Sequence, residues 1–367
     1  MNSNPSKPAR PMEEGADLFD LAELRQRLTA AGGDSSTSRA AGSEYSSMFP
    51  PPAGDSQLTL ELQRLWDDER GPWRSHLFGS HEIAAAIDTL TAKAPNLTTF
   101  FRELARPCAL SIATRTPLRV DPVLLIGPPG VGKTWAVKGV GAALQTKAKF
   151  IAAEAMSDLK SSLCGLAPFW SRARKGLIAS ILLDGPTTSP IIVLDEVDKV
   201  REVTSTMAVG GTGIDVLHGL LEAENASDFQ DEFLEIRLRA DRIIWILTAN
   251  DISALPPSIL DRVMIVRVEA PDPEAARTII RAMFEEAADE FGDAFDHRLP
   301  SVAVEALCEL NPRRIKRAIR RSFGIAAVGG RSWVSIEDVK TAVAEVSDPV
   351  ASRSRPIGFV QHRQKSQ

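Results

Sequence analysis

The stretch from Val123 to Thr134 constrains the fold of this chain more than any other part of the sequence. An apolar run typical of a β-strand, Val123–Ile126, is followed by the letters GPPGVGKT. These letters match the phosphate-loop pattern G-x-x-x-x-G-K-[ST], which requires a buried strand before it and a helix after it. The apolar run supplies the strand, and we predict the helix over Trp135–Leu144. We therefore expect an α/β fold organised around this loop.

The loop has the chemistry of an anion cradle. Its three glycines are expected to take backbone conformations that are closed to residues with a Cβ, so that several N–H groups converge on phosphate oxygens. The helix that follows directs its positive end at the same anion. Lys133 supplies a charge for the β- and γ-phosphates, and Thr134 offers a hydroxyl group to Mg²⁺. We predict that ATP and Mg²⁺ are bound by Gly127, Pro128, Pro129, Gly130, Val131, Gly132, Lys133 and Thr134.

Composition bounds the class of protein. The chain has 367 residues and a formal net charge of −5, so the total charge argues mildly against a nucleic-acid partner. The three cysteines are widely spaced and form no C-x-x-C pair, which is typical of buried residues in a reducing compartment. No apolar run reaches the length of a membrane span, and the polar N-terminus has no signal-peptide core. We therefore expect a cytoplasmic protein without a membrane partner.

Strand and helix patterns divide the chain. The predicted strands are Val123–Ile126, Phe150–Ala152, Ile191–Leu194, Ile243–Leu247 and Met264–Val268. Their alternation with helices predicts a P-loop NTPase fold, in which a parallel sheet has helices on both faces. The predicted segments are a disordered arm at 1–57, an α/β nucleotide-binding domain with a helical N-terminal extension at 58–270, an all-helical lid at 271–347 and a polar tail at 348–367. The arm contains a short amphipathic pattern near 16–30, which either packs on its own domain or docks a partner.

Two adjacent carboxylates follow the apolar strand Ile191–Leu194. Asp195 is predicted to hold Mg²⁺, directly or through water. Glu196 is predicted to orient and polarise the attacking water, which is the role of a general base. The alternative is an acidic loop after a core strand. The preceding phosphate loop favours the catalytic interpretation.

Another apolar strand ends in Asn250, whose amide is suited to hydrogen-bond the γ-phosphate or the attacking water. The alternative is an ordinary turn residue, because Asn is common at strand ends. Leu260-Asp261-Arg262 follows after a proline-containing loop.

At this point the set of motifs resembles an AAA+ ATPase. The resemblance implies that Arg262 is an arginine finger, which projects into the site of a neighbouring subunit and stabilises negative charge there. The alternative is an intramolecular salt bridge to Asp261 or another acid. The segment that begins at Asn311 is similar to the sensor-2 segment of this family, and Arg313 matches the arginine that reaches the γ-phosphate. Arg314 is the nearest competitor for that role.

The resemblance is closer to the ATPase module of Lon proteases. It extends over roughly Pro122 to Val346 and includes the segment from Leu220 to Ile236 between the Asp-Glu strand and the Asn250 strand. We expect no peptidase activity, because the Ser-Lys dyad of Lon proteases has no place in the remaining sequence.

One departure concerns the aromatic pore loop with which such proteins grip polypeptide. Leu163-Cys164-Gly165 stands at that position, and Phe169 and Trp170 follow in an insertion-like stretch. These two aromatic residues are either a displaced grip or ordinary packing. The basic residues after them, Arg172, Arg174 and Lys175, are either a solvated turn or a contact for phosphates or an acidic partner. The glycines of Gly210–Gly213 are candidates for a second pore loop.

The motifs and the resemblance together support one principal function. We expect an ATP-hydrolysing homo-oligomeric ring, for which a hexamer is one option, that remodels or translocates a protein client. The alternatives are a motor or loader on nucleic acid, which the basic turn at Arg172–Lys175 and the basic helix at Arg313–Arg321 would serve, and a nucleotide switch without hydrolysis. Glu196 argues against the switch, since a switch needs no residue that activates water.

Overall fold

The computed structural model describes residues 14–32, 53–156, 158–200 and 214–347. The predicted second pore loop at Gly210–Gly213 and the predicted polar tail lie outside these residues. The chain divides into two compact units, and both take residues from separate parts of the sequence. The first unit comprises Met1–Leu90, Thr99–Gly127 and Lys133–Val268, and the second comprises Thr91–Thr98, Pro128–Gly132 and Glu269–Gln367.

The bounds of the regular elements are as follows. The strands in the described residues are β1 (Gly15–Asp17), β2 (Trp73–Ser75), β3 (Val123–Ile126), β4 (Ala148–Ala152), β5 (Ile191–Asp195), β6 (Phe229–Gln230), β7 (Arg237–Leu238), β8 (Ile244–Ala249) and β9 (Met264–Arg267). The helices are α1 (Leu21–Gly32), α2 (Ala53–Asp67), α3 (His81–Lys93), α4 (Thr98–Thr114), α5 (Lys133–Ala143), α6 (Leu159–Cys164), α7 (Leu177–Asp184), α8 (Val216–Leu220), α9 (Ala223–Ala226), α10 (Pro257–Leu260), α11 (Pro273–Asp289), α12 (Ser301–Cys308), α13 (Pro312–Val328) and α14 (Ile336–Ser347).

A five-stranded parallel sheet forms the centre of the first unit. Its strand order is β4-β5-β8-β3-β9. All four residues of β3 and all six of β8 are buried, as expected for strands covered on both faces. Ile126 lies opposite Ala249, and Leu194 lies opposite Leu247, so β3, β8 and β5 end at the same edge. The predicted P-loop α/β fold is confirmed.

Element bounds differ from the predicted ones by a few residues. Helix α5 begins at Lys133, two residues before the predicted start, so the lysine and Thr134 belong to its first turn. Strand β5 extends through Asp195, so this residue is the last one of the strand and its backbone is extended. The functional side chains are thus attached to regular elements, which fixes their backbone positions.

Within the N-terminal region, for which the sequence predicts a disordered arm with a short amphipathic pattern near 16–30, residues 14–32 contain regular elements. Strand β1 pairs with β2 in an antiparallel ribbon, and α1 packs on α2. Leu18 and Leu24 are 1% and 0% exposed and belong to the core of the first unit. Helix α1 thus packs on its own unit. Apolar burial outweighs the polar composition of the surrounding sequence.

The second unit contains helices α11 to α14 around a core of its own. Phe284 stacks on Phe323 with 4.7 Å between ring centroids. The start of α14 is capped reciprocally, because Ser335 Oγ accepts from the N–H of Asp338 and Asp338 Oδ2 accepts from the N–H of Ser335. This reciprocal pair of hydrogen bonds is a capping box, which fixes where α14 begins.

Helix lengths and hydropathy also bear on membranes. Among the residues described, none of the helices combines the length and the apolar character that a transmembrane span requires.

Candidate active site

Lys133 lies at the ends of two neighbouring strands. Its Nζ donates to the carbonyl oxygens of Gly127 (2.5 Å) and Ala249 (3.3 Å) and to Oδ1 of Asn250 (3.0 Å). The side chain is buried, and burial lowers the pKa of Lys133, while the negative charges of Asp195, Asp198 and Glu196 act in the opposite direction. Lys133 and the Asn250 amide, both of which the sequence predicted, are therefore in direct contact.

The two predicted acids are joined through Thr248, the residue of β8 that lies level with Asp195. The N–H of Glu196 donates to Oγ1 of Thr248 at 3.1 Å, and the Thr248 hydroxyl donates to Oδ1 of Asp195. Thr248 is 1% exposed, so this bridge is shielded from water. The hydroxyl therefore fixes the carboxylate of Asp195 and the backbone of Glu196 at once.

Asn250 is held from the other side by Asp198. Oδ2 of Asp198 accepts from the N–H groups of Asn250 and Asp251, each at 3.1 Å. Oδ1 of the same carboxylate is buried without a hydrogen-bond partner. Asp198 thus sets the direction in which β8 delivers the amide of Asn250.

Glu196 leaves the strand in a left-handed conformation with φ 57° and ψ 48°. Non-glycine residues rarely adopt this conformation, and it turns the side chain away from the strand direction. The carboxylate is paired with Lys199 at 2.7 Å. The hydrogen bond from Lys199 lowers the pKa of Glu196, and the Asn250 amide contributes in the same direction. Glu196 is therefore ionised at neutral pH, as a general base must be.

The glycines of the phosphate loop are required for different structural reasons. In the second unit, Gly130 (φ +87°) and Gly132 (φ +103°) have the positive φ values expected of a phosphate cradle. Gly127 does not, and the expectation for it is wrong. It belongs to the first unit, where a Cβ on Gly127 would lie 2.1 Å from the carbonyl oxygen of Val268. Gly127 is thus required by close packing against the chain that leaves β9.

Arg262 does not join the cluster around Lys133. Its Nη2 pairs with Oε1 of Glu222 at 2.7 Å, and its Nη1 donates to the carbonyl oxygen of Ser258 at 2.6 Å. The intramolecular ion pair that the sequence allowed is thus present, with Glu222 in place of Asp261. The Arg262 side chain is 29% exposed.

Arg313 lies in the first turn of α13 in the second unit, which also contains the turn at Gly130. The start of α13 is capped by Asn311, whose Oδ1 accepts from the N–H of Arg314 at 3.0 Å. Pro312 Cδ lies 4.0 Å from the position of a Cβ on Gly130. Arg313 and Arg314 are both exposed, so burial does not distinguish the two candidates for the sensor-2 role.

The donor set fits Mg²⁺. Asp195 is half-buried, and the Thr248 hydroxyl occupies only one face of its Oδ1 atom. Thr134 is exposed in the first turn of α5. Carboxylate and hydroxyl oxygens with room for several waters are the ligands that Mg²⁺ prefers.

Four residues that organise the site were missed in the sequence. Thr248 and Asp198 stand next to predicted residues, and a polar side chain within a buried strand is a signal for the threonine. Lys199 and Glu222 make ion pairs with predicted residues, and only their place within conspicuous motifs indicated them.

Residues 123–270 match the family described as "ATPase family associated with various cellular activities (AAA)". A Lon protease from Campylobacter jejuni is 34% identical over 149 residues, which are 41% of this chain and 18% of that protein. A Lon protease from Chlamydia trachomatis is 27% identical over 210 residues, or 54% of this chain and 25% of that protein. A mitochondrial Lon protease homolog from Schizosaccharomyces pombe is 31% identical over 144 residues, or 39% and 13%.

Among solved structures, a RuvB mutant from Thermotoga maritima has a TM-score of 0.44 and 15% identity, and the match covers 66% of this chain and 68% of that one. The chain spans a quarter or less of the length of the three Lon relatives. Within that span, the predicted resemblance to AAA+ ATPases and to the ATPase module of Lon proteases is confirmed.

Proposed function

We propose that this chain, which carries an AAA ATPase domain in residues 123–270, binds ATP with Mg²⁺ and hydrolyses it to ADP and phosphate. One observation carries this proposal. The ammonium of Lys133, the amide of Asn250 and the Asp195–Glu196 pair meet at the ends of three neighbouring strands and are connected by hydrogen bonds. A structural cluster would have no need of an ionised carboxylate held in a left-handed turn beside a buried lysine.

The side chains divide the work. Asp195 and Thr134 would hold Mg²⁺, which would supply positive charge beside the phosphates. Lys133 contacts the β- and γ-phosphates, and the loop N–H groups surround them. Glu196 accepts a hydrogen bond from the attacking water and orients it, while Asn250 fixes the water or the γ-phosphate.

Two arginines are proposed to complete the pocket. Arg262 would leave Glu222 and stabilise the transition state in a neighbouring subunit, so the working form would be a homo-oligomeric ring. Arg313 would contact the γ-phosphate, which is the role that the resemblance implies for it.

The proposed ATPase acts on a protein client. Phe169 and Trp170 are 74% and 55% exposed, with ring centroids 5.2 Å apart. Exposed aromatic pairs of this kind are suited to grip apolar side chains of a polypeptide. Peptide hydrolysis is not part of the proposed activity.

A second candidate is a nucleic-acid motor. It is favoured by the start of α13, where Arg313, Arg314, Lys316 and Arg317 are all exposed. Stimulation of the ATPase by single-stranded DNA, without stimulation by unfolded protein, would favour this candidate over the first.

The test of the proposed function is Glu196→Gln. The amide keeps the size of the side chain but cannot act as a base. We expect ATP binding by calorimetry to remain and turnover to fall below detection. In the presence of ATP the variant should retain an unfolded polypeptide on a pull-down that the wild-type protein releases. Turnover close to that of the wild type would refute the assignment of Glu196.

A further inference from the structure

The chain between α6 and α7 forms a small hairpin that presents two aromatic rings. The N–H of Leu166 donates to the carbonyl oxygen of Arg174 at 2.9 Å, and the reverse bond is 3.3 Å. Phe169 and Trp170 lie between these two residues and are the most exposed aromatic side chains in the first unit among the residues described. We refer to residues 165–176 as the aromatic hairpin.

Two glycines form the base of the aromatic hairpin. Gly165 has a φ of +92°, and a Cβ on Gly176 would lie 2.3 Å from the carbonyl oxygen of Leu163 and 2.5 Å from the nitrogen of Gly165. The entering and leaving chains therefore approach more closely than side chains allow. This close approach brings the N–H of Gly176 within reach of a group on a different part of the fold.

That group is the carboxylate of Asp231, which is fully buried. Its Oδ2 accepts from the N–H of Gly176 at 2.7 Å, and its Oδ1 accepts from the N–H groups of Phe233 (3.0 Å) and Leu234 (2.9 Å). The next residue, Glu232, donates its N–H to the carbonyl oxygen of Cys164 at 2.8 Å. The turn between β6 and β7 thus clasps the aromatic hairpin on both sides of its base.

A hairpin closed by a single pair of backbone hydrogen bonds is marginal by itself. The contacts at the base of the hairpin must therefore fix the direction in which it projects. Burying a carboxylate is expensive, and a neutral residue would serve a simple turn at lower cost. The burial of Asp231 raises its pKa to about 6, despite the three N–H donors that act in the opposite direction. Despite the cost of its burial, the Asp231 carboxylate lies at the contact with Gly176, where it joins two separate segments of the chain.

We propose that Asp231 is a positioning residue that fixes the direction in which the aromatic hairpin presents Phe169 and Trp170 to a polypeptide. The inference rests on the proposed remodelling of a protein client. When the rings grip a chain, the pull on the hairpin passes through the N–H of Gly176 and the carboxylate to the turn between β6 and β7. Loss of that contact keeps both aromatic rings on the hairpin but allows the hairpin to change its direction relative to the sheet.

Asp231→Asn separates the two functions of the carboxylate. The amide oxygen still accepts from Phe233 and Leu234, while the NH₂ group faces the N–H of Gly176, and two donors cannot bond to each other. Asp228→Asn is the matched control. It makes the same change of charge three residues earlier, at a side chain that is 64% exposed and pairs only with Arg237 at 3.5 Å among the contacts described.

Two measurements test the proposal. Amide hydrogen exchange at Gly176 should be about 10- to 100-fold faster in Asp231→Asn and unchanged in Asp228→Asn, as expected for loss of a charge-assisted hydrogen bond. Reduced, carboxymethylated α-lactalbumin should stimulate the ATPase of the wild type and of Asp228→Asn, and this stimulation should fall at least fivefold in Asp231→Asn.

Other results would distinguish a failure of the positioning role of Asp231 from a failure of the proposed protein-client function. Unchanged exchange at Gly176, or a loosened hairpin with full stimulation, would overturn the positioning role of Asp231. Absence of stimulation in the wild type would overturn the protein-client function itself, and with it the proposal.

If Asp231→Asn does not fold, hydrogen exchange in the wild-type protein still tests whether the Asp231 carboxylate anchors Gly176. The N–H groups of Gly176 and Leu234 share one carboxylate, so they should be protected from exchange to the same degree. Fast exchange at Gly176 beside a protected Leu234 would overturn the proposal.

Discussion

Replacing Thr248 with valine removes one hydroxyl group from the centre of the site and keeps the shape of the side chain. Two contacts are lost, the hydrogen bond to the carboxylate of Asp195 and the acceptor for the N–H of Glu196. A hydrogen bond to a charged group contributes about 1.5–3 kcal/mol, and a buried unpaired N–H costs about 1–3 kcal/mol. We therefore expect the free energy of unfolding to fall by about 2.5–6 kcal/mol, against the total of about 5–15 kcal/mol that is usual for a domain.

Turnover should fall separately from stability. If the bridge holds Glu196 against the attacking water, loss of a charge-assisted bond of that strength lowers kcat by about 10- to 150-fold. Thr188→Val is the control, because Thr188 is also buried and hydrogen-bonded, to His76 Nδ1 at 3.0 Å, on the side of the fold away from the strand ends. Urea unfolding and steady-state ATPase rates at 25 °C measure both effects. A Thr248→Val protein that is destabilised but turns over within twofold of the wild type would refute the positioning of Glu196 by Thr248.

Two further predictions concern pH. Lys199→Met removes the ammonium that lowers the pKa of Glu196, so the acidic limb of the kcat profile should move to higher pH, and an unmoved limb would show that Lys199 does not control the base. Arg331 holds the pKa of Asp338 at about 2, compared with 3.8 when unfolded, so the pair stabilises the chain by about 2 kcal/mol above pH 4, and this is lost as the pH falls through about 2. Asp338→Asn should lower the free energy of unfolding by at least that amount at pH 7 and by less at pH 3, and an equal loss at both values would contradict the linkage.

The parts of the site that could be predicted are those that a single segment carries. Strand β3 is buried on both faces, so its sequence is a continuous apolar run, and the phosphate loop follows without a break. Asp195 and Glu196 stand at the end of a similar run. Thr248 and Asp198 could not be assigned in this way, because their partners lie 52 or 53 residues away and meet them only through the register of β5 and β8.

In the N-terminal segment, averaged composition and hydrophobic periodicity give different information. Average composition there is polar and rich in small residues, which is typical of disorder. Three apolar side chains outweigh the average, since Leu18, Phe19 and Leu24 are all buried in the core of the first unit. Composition averaged over many residues does not register such a small buried set, whereas periodicity near residues 16–30 did.

The pairing of Arg262 with Glu222 bears on whether the proposed trans contact is feasible. Both side chains are about a third exposed, and an ion pair in such a setting contributes about 0.2–1 kcal/mol. A triphosphate carries several negative charges, so a neighbouring subunit that presents one can displace Glu222 at little cost.

Arg262→Ala and Glu196→Gln proteins should therefore each be inactive alone and complement each other when co-expressed. A site formed by the intact Glu196 of one subunit and the intact Arg262 of the next has both groups. With random assembly at equal amounts, half of the subunits retain Glu196 and half of their neighbours retain Arg262, which gives about a quarter of the wild-type rate. If Arg262 acted within its own subunit, no mixed assembly would contain a complete site, and the mixture would stay as inactive as its components.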